Sequence, residues 1–293
     1  MVICTGSLLL FASPPSAAAG LAIDAWGDSL TTGTPGIGGL SGTWPYQLSR
    51  LLGGRTVRNF GVSGQTSESI AARQGALVAR LSVARSGTAD DGGTDGNVIP
   101  VTVTNRLNIP GAGIGAVHGT LNGIPGELAY AANDRHVFIR DATVDAKIAI
   151  PADSPFIVDD YRDDINVIWA GRNDVNEDGT AHTVENIARM AARVDRGRFI
   201  VLSIVNGADE GRGTQRYRTI VALNQKLATR FPDHFIDIRA ALIAHANASA
   251  ADLADRTADI VPRSLRVDRL HLTADGYRIV AQCVFGFVNN HDW

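Results

Sequence analysis

The chain has 293 residues, 45% of them hydrophobic and 19% charged, a composition that supports a packed core and a length that fits about two domains. A formal net charge of −3 offers no basic surface for nucleic-acid phosphates, and no apolar run reaches the length of about 18 residues that a membrane span needs. The two cysteines, Cys4 and Cys283, exclude a disulfide scaffold or a cysteine-based zinc site, and the two lysines, Lys147 and Lys226, leave almost no candidate for cofactor chemistry by phosphate loop or Schiff base.

The N-terminal segment has the pattern of a secretory signal. Residues 2–12 are an apolar run, and small residues follow at 17–20. We therefore predict a signal peptide over 1–19, cleaved near Ala19, and a secreted or periplasmic protein. Because no Lys or Arg precedes the run, a truncated start and an ordinary buried segment stay open as alternatives. Cys283 lies in an apolar helical pattern and is predicted to be a core residue.

Strand and helix patterns alternate over most of the chain. Short apolar runs bounded by Gly, Asn or Asp predict buried strands. Between them, apolar residues recur at helical spacing. This alternation predicts an α/β fold with a parallel sheet covered on both faces. The predicted strands are 21–26, 56–60, 165–170, 198–205 and 234–238, and the predicted helices are 43–52, 184–194, 217–231 and 273–288.

The alternation stops between about Gly75 and Asp160. This stretch contains period-two runs at 98–104 and 136–140, and turn signals recur, as at Asn122-Gly123. Period-two patterns separated by turns are typical of antiparallel strands. We predict a small β-rich domain, residues 75–160, inserted into the α/β domain.

Four short polar segments stand at strand ends or before the last helix. WGDSL at 26–30 follows the first strand, NFGVSGQT at 59–66 follows the second, GRND at 171–174 follows the third, and DRLH at 268–271 precedes the last helix. Ligands of doubly wound sheets bind at the carboxyl ends of the strands, so we expect these segments to meet at one edge. Together they supply a hydroxyl, an imidazole, a carboxylate and amide donors, which are the groups that acyl transfer needs.

The four segments, in this order, resemble the sequence blocks of the SGNH hydrolases of the GDSL esterase family. The resemblance covers about residues 21–74 and 161–290 and leaves the insert out. It implies a three-layer αβα sandwich around a five-stranded parallel flavodoxin-like sheet. The hydrolase domain would be discontinuous, formed by 20–74 and 161–293.

The resemblance also implies a role for individual residues. Ser29 would be the nucleophile, His271 the base, and Asp268 the group that orients the imidazole. The oxyanion hole would consist of the backbone N–H groups of Ser29 and Gly64 and the side-chain amide of Asn173. Glycine lets the backbone approach a substrate closely, and an uncharged amide stabilises an anion without forming an ion pair. The alternatives are that His271 only neighbours a helix cap and that Asn173 is a turn residue.

Neighbouring residues of these segments carry weaker signals. Asp28 is expected to brace the turn by hydrogen bonding rather than to react. Arg172 could contact substrate or form a structural salt bridge, and both interpretations stay open. The other six histidines lack a motif and are interpreted as surface or core residues: His118, His136, His182, His234, His245 and His291.

Two further patterns imitate ligand-binding motifs. The glycines at 111–116 match a dinucleotide fingerprint, but a proline precedes them and no helix pattern follows. The glycine-rich run 33–42 has no lysine and is interpreted as a wall beside Ser29. An EF-hand-like pattern leaves two interpretations open, a calcium site and an acidic loop that caps the next helix. The oxygen-bearing positions of that pattern are Asp174, Asn176, Asp178 and Glu185.

The sequence therefore predicts a serine esterase that needs no cofactor and no metal. Its substrate would be a small-molecule or polysaccharide ester, and acetyl esters on carbohydrate are favoured because an exported enzyme with a β-rich insert suits a polymer. A general arylesterase or lipase is the alternative within the same chemistry. A glycan-binding module without catalysis is the alternative outside it. The sequence does not predict the oligomeric state.

Overall fold

A computed structural model describes residues 20–33, 39–83, 98–105, 117–131, 135–141, 150–176 and 180–293. The predicted signal peptide, the glycine motif at 111–116, and residues 34–38 of the glycine-rich run lie outside these ranges. None of the helices within them combines the length and the apolar character that crossing a bilayer requires.

The described ranges contain both strands and helices. The strands are β1 Ile23–Gly27, β2 Val57–Gly61, β3 Ala79–Val83, β4 Val98–Val103, β5 Val117–Leu121, β6 Ile124–Ala131, β7 Arg135–Arg140, β8 Ser154–Val158, β9 Ile165–Trp169, β10 Phe199–Leu202 and β11 Phe235–Ile236. The helices are α1 Ser29–Thr32, α2 Trp44–Leu51, α3 Ser67–Gln74, α4 Thr183–Ala192, α5 Gln215–Arg230, α6 Ile238–Ala244, α7 Ala250–Thr257 and α8 Ala274–Asn290.

The α/β part of the chain contains one parallel sheet of five strands. Its strand order is β11-β10-β9-β1-β2, and every pairing is parallel. Counted along the chain within this sheet, the order is 2-1-3-4-5, the flavodoxin-like arrangement. The predicted parallel α/β fold is confirmed. Strand β1 lies between β2 and β9, so the loops after these three strands are neighbours at one edge.

Successive side chains of β1 enter two different cores, as the alternation of a strand requires. Ile23 and Ala25 face the cluster formed with α2, α6 and α8, whereas Trp26 faces the cluster formed with α3, α4 and α5. The sheet is therefore covered on both faces, which gives three layers. Cys283 of α8 packs at the border of the first cluster, partly buried, and burial raises the pKa of its thiol.

The inserted segment forms a closed barrel of six antiparallel strands in the order β3-β4-β7-β6-β5-β8. The period-two runs predicted its strands, but no local pattern indicated that the sheet closes. Asn122 and Gly123 both have positive φ, 50° and 78°, and form the tight turn between β5 and β6. The barrel is filled by apolar side chains, among them Leu81, Val101, Leu121, Leu128, Phe138 and Phe156.

Four of the described helices have no counterpart among the predicted elements, namely α1, α3, α6 and α7. Helix α3 shows why, because seven of its eight residues are buried, including Arg73 and Gln74. A helix that buries polar residues on several sides has no contrast between a polar and an apolar face. The periodicity on which helix prediction depends is then absent.

Candidate active site

The turn after β1 presents Ser29 at the carboxyl edge of the sheet. Asp28 caps α1, and its Oδ1 accepts a 2.9 Å hydrogen bond from the Leu30 backbone N–H, so the expected bracing role is observed. Gly27 is required by space, since a Cβ there would lie 2.2 Å from Thr31 Oγ1. Ser29 begins the helix, where a backbone N–H has no partner within the helix.

Ser29, His271 and Asp268 lie in hydrogen-bonding contact. His271 Nε2 is 3.0 Å from Ser29 Oγ, and His271 Nδ1 is 2.7 Å from Asp268 Oδ2. The Asp268 carboxylate accepts a hydrogen bond from the Nδ1–H group, which leaves the Nε2 lone pair facing the serine hydroxyl. The sequence prediction that these residues meet agrees with this geometry, and the arrangement can deprotonate Ser29 during nucleophilic attack.

Asp268 is held as an anion by its own loop. Burial alone would raise its pKa, but backbone N–H bonds from Leu270 and His271 and the bond from the imidazole lower the pKa below its usual value. These backbone bonds measure 2.7 and 2.8 Å. The site is open to solvent, because the side chains of His271 and Asp268 are 24% and 48% exposed.

The proposed oxyanion donors come from three neighbouring loops. Gly64 has a φ of 80°, the left-handed region in which a residue with a side chain is strained. Asn173 Nδ2 donates to the Gln65 backbone carbonyl at 2.9 Å and makes only a long 3.4 Å contact with Asp28 Oδ2. Since that second contact is weak, one N–H of the Asn173 amide can donate a hydrogen bond to a substrate oxygen.

Asp28 is buried beside this amide. Burial raises the pKa of Asp28 to about 6, against the opposing effects of the Leu30 N–H and the nearby charges of Arg172 and His271. An ionised carboxylate here is therefore costly, and its hydrogen bond to the turn compensates only in part.

Several hydrogen bonds that position these loops were not predicted from the sequence. Asn59 Nδ2 donates to Thr31 O at 2.9 Å and joins β2 to α1. The Asp174 carboxylate accepts bonds from the Ser67 backbone and hydroxyl and from Thr183 Oγ1, which joins the third loop to α3 and α4. In the sequence, these contacts are marked only by a polar residue beside a motif. Such a residue does not reveal which distant group it will bond.

Arg172 forms a buried ion pair with Glu210, with Nη2 2.9 Å from Oε1. Of the two interpretations considered for this residue, the salt bridge is the one observed. Since Arg172 precedes Asn173 directly, the ion pair anchors the loop that carries the amide donor.

The EF-hand-like pattern is only partly within the described residues, because Asp178 lies outside them. Asp174 is engaged by Ser67 and Thr183, and Glu185 forms an ion pair with Arg189 on α4. Within the ranges that the structure describes, no group of three His, Cys, Asp or Glu side chains could hold a metal ion. Asp174 and Glu185 are thus engaged by neighbouring side chains, but the predicted capping of the next helix is not observed, because the N-cap of α4 is His182 and no side chain caps that helix.

The barrel and the α/β part meet at a cavity of about 170 Å³. One wall is formed by Trp26, Phe60 and Val62, and the other includes Val117 and His118 of β5. Val62 belongs to the loop that carries Gly64, so the insert lies next to that loop.

No protein-family model matches the sequence. A 147-residue stretch is 29% identical to the tail spike protein of Salmonella phage epsilon15, a match that covers 45% of this chain and 14% of that protein. The match thus spans only a small part of the length of this curated relative.

Solved structures resemble the chain over most of its length. The lipase/acylhydrolase from Enterococcus faecalis aligns with a TM-score of 0.50 over 92% of this chain and 96% of that chain, at 14% identity. The chain shares this acylhydrolase's fold. A member of the lipolytic protein G-D-S-L family from Veillonella parvula DSM 2008 has a TM-score of 0.48 and 12% identity, over 90% of this chain and 96% of that chain. At 14% identity, the likeness to the Enterococcus faecalis structure establishes the fold alone.

Proposed function

We propose that the chain is a serine esterase that hydrolyses carboxylic esters through an acyl-enzyme. The observation that carries this proposal is the contact chain from Ser29 Oγ through the His271 imidazole to the Asp268 carboxylate, with distances of 3.0 and 2.7 Å. A nucleophile, a base and a group that orients the base are the parts that acyl transfer needs.

The reaction follows from the positions of these groups. Ser29 Oγ attacks the ester carbonyl while His271 Nε2 takes its proton, and the tetrahedral oxyanion forms among the N–H groups of Ser29 and Gly64 and the amide of Asn173. Collapse of the intermediate expels the alcohol, which receives the proton from His271. A water molecule, activated by the same imidazole, then hydrolyses the acyl-enzyme and restores Ser29.

For the substrate we propose short acyl esters, acetyl above all, on carbohydrate. Support comes from the exposed catalytic pair, which a polymer can reach, and from the barrel wall next to the Gly64 loop. The predicted signal peptide adds a proposed secreted or periplasmic location, where polysaccharides occur. A general short-chain arylesterase or lipase is the second candidate, because the same triad serves those esters.

The test is an ester-length series. Purified protein is assayed on p-nitrophenyl esters from C2 to C12, and acetate release is measured from O-acetylated polysaccharide of Salmonella cells, chosen because the partial relative is a tail spike of a Salmonella phage. A steep preference for C2 together with acetate release supports the carbohydrate substrate. A preference for long chains without acetate release favours the lipase.

The Ser29→Ala variant is the control for chemistry. We expect it to lose at least about 10³-fold in kcat, as removal of a triad member does. Labelling of the wild-type serine by a fluorophosphonate separates an esterase from a glycan-binding module, which should not react. Wild-type activity retained in Ser29→Ala would reject the proposed mechanism.

A further inference from the structure

We propose that Arg73 of α3 is a positioning residue that holds the three oxyanion-donor loops at fixed positions relative to one another. The proposal rests on the esterase function above and adds a residue outside the four sequence segments. Its basis is the set of hydrogen bonds that one guanidinium makes.

Arg73 ties together the ends of the two strands that precede the Ser29 and Gly64 loops. Its Nη2 donates to the backbone carbonyl of Gly27 at 3.2 Å and to that of Phe60 at 2.8 Å. Gly27 is the last residue of β1, and Phe60 is the penultimate residue of β2. A single nitrogen therefore fixes the spacing at which the two loops leave the sheet.

The same guanidinium reaches the third donor through Gln65. Arg73 Nε donates to Gln65 Oε1 at 2.6 Å, and the Gln65 backbone carbonyl accepts the bond from Asn173 Nδ2 at 2.9 Å. Gln65 follows Gly64 directly, so this side chain anchors the Gly64 loop as well. All three donor loops are thus linked to one planar group with a rigid fork of donors.

The charge of Arg73 is costly for a residue whose role is only structural. Its side chain is buried, with the whole residue 4% exposed, and it lies over the Trp26 ring at 5.6 Å. None of the ion pairs among the described residues includes it, and its hydrogen-bond acceptors are all neutral oxygens. Burial lowers its pKa to about 10, so it stays protonated at neutral pH. A buried cation without a carboxylate partner is costly to a fold, and all the acceptors of Arg73 lie in the segments that lead to the oxyanion donors.

The experiment compares Arg73→Met with Arg193→Met, using p-nitrophenyl acetate. Arg193 is the matched control, since its Nε donates to the carbonyl of Gln74 at the end of the same helix at 3.0 Å. For Arg73→Met we expect kcat to fall about 10- to 100-fold with KM changed less than threefold, since the lost interaction acts in the transition state. Arg193→Met should retain kcat within twofold. Arg73→Lys, which keeps the charge but not the fork, should recover only part of the loss.

A double-mutant cycle tests whether Arg73 acts through the donors. If it does, the losses of Arg73→Met and Asn173→Ala do not multiply when the two changes are combined. Gln65→Met breaks the same link from the other side and provides a second variant if Arg73→Met fails to fold; its kcat should also fall at unchanged KM. The proposal is overturned if kcat of the folded Arg73 or Gln65 variant stays within threefold of the wild type, or if the losses multiply fully. Wild-type and Ser29→Ala assays run alongside, so a chain without Ser29-dependent hydrolysis disproves the esterase function and this inference with it, whereas normal wild-type activity isolates the failure to Arg73.

Discussion

His271 at the edge of the parallel sheet and His118 on the barrel both contact aspartates. His271 has Asp268 on Nδ1 and the Ser29 hydroxyl on Nε2. His118 has carboxylates on both nitrogens, Asp159 on Nδ1 at 2.7 Å and Asp141 on Nε2 at 2.9 Å. The second partner decides what each imidazole can do.

Carboxylates on both nitrogens favour the doubly protonated ring, and the hydrogen bonds to Asp141 and Asp159 raise the pKa of His118. A ring held in that state has no lone pair with which to accept a proton. His271 keeps one nitrogen for the hydroxyl and can act as a base. Proximity to a carboxylate therefore does not identify a catalytic histidine, and the partner of the other nitrogen must be known.

The largest expected effect tests this contrast directly. His271→Ala removes the base and should lower kcat for p-nitrophenyl acetate by at least about 10³-fold. His118→Ala removes an imidazole with two aspartate partners but no nucleophile, and should leave kcat within twofold. Comparable losses in both variants would contradict the assignment of the base.

The next effect concerns the amide donor of the same edge. Asn173→Ala removes the group that stabilises the oxyanion and should lower kcat by about 10²–10³-fold with little change in KM. Asn173→Asp preserves the size but replaces the donor by an anion, so its loss should be at least as large. A normal kcat in Asn173→Ala would show that Asn173 does not donate to the oxyanion. Its 3.4 Å contact with Asp28 would then leave no amide hydrogen for the substrate.

Much of this edge could be predicted, because each chemical group stands directly after a strand or before a helix. Once β1, β2 and β9 are neighbours, Ser29, Gly64 and Asn173 must lie at one edge. The role of Arg73 could not be predicted in this way. It depends on the register that places the Phe60 carbonyl within 2.8 Å of its guanidinium, and nothing in the local sequence of α3 encodes that contact.

The barrel was harder to predict for a related reason. Period-two runs indicate strands, but closure depends on the pairing of β3 with β8, whose residues lie more than 70 positions apart. The two carboxylates that contact His118, those of Asp141 and Asp159, likewise belong to different segments. Local patterns predict elements, whereas contacts between distant segments need the fold.

A smaller effect on stability is expected at Asp28. Its pKa is about 6 in the folded chain and 3.8 as the reference value, so the native state binds more protons than the unfolded state between these values. Stability is therefore lost as pH rises through this window. Asp28→Asn cannot ionise and should gain up to about 3 kcal/mol relative to the wild type between pH 4 and 7. Urea denaturation at several pH values measures the difference. Burial also raises the pKa of Asp24 on β1 to about 6, but Asp24 is present in both proteins and its contribution cancels. A pH-independent difference would disprove the burial of an ionised Asp28.

The smallest expected effect is on the stability of the barrel, at His118. Since the pKa of His118 is raised, its contribution to stability is fully present below the reference value of 6.5 and is lost as pH rises through the folded-state pKa. The side chain is 38% exposed, and partly exposed ion pairs contribute at most about 1 kcal/mol, so His118→Gln should lower the melting temperature by about 2 °C at pH 5.5. The difference should shrink as pH rises through the folded-state pKa of His118, because the ring loses its charge there. A difference that stays the same as pH rises would mean that His118 stabilises the barrel by packing rather than by charge, and that its two aspartates do not hold it as a cation.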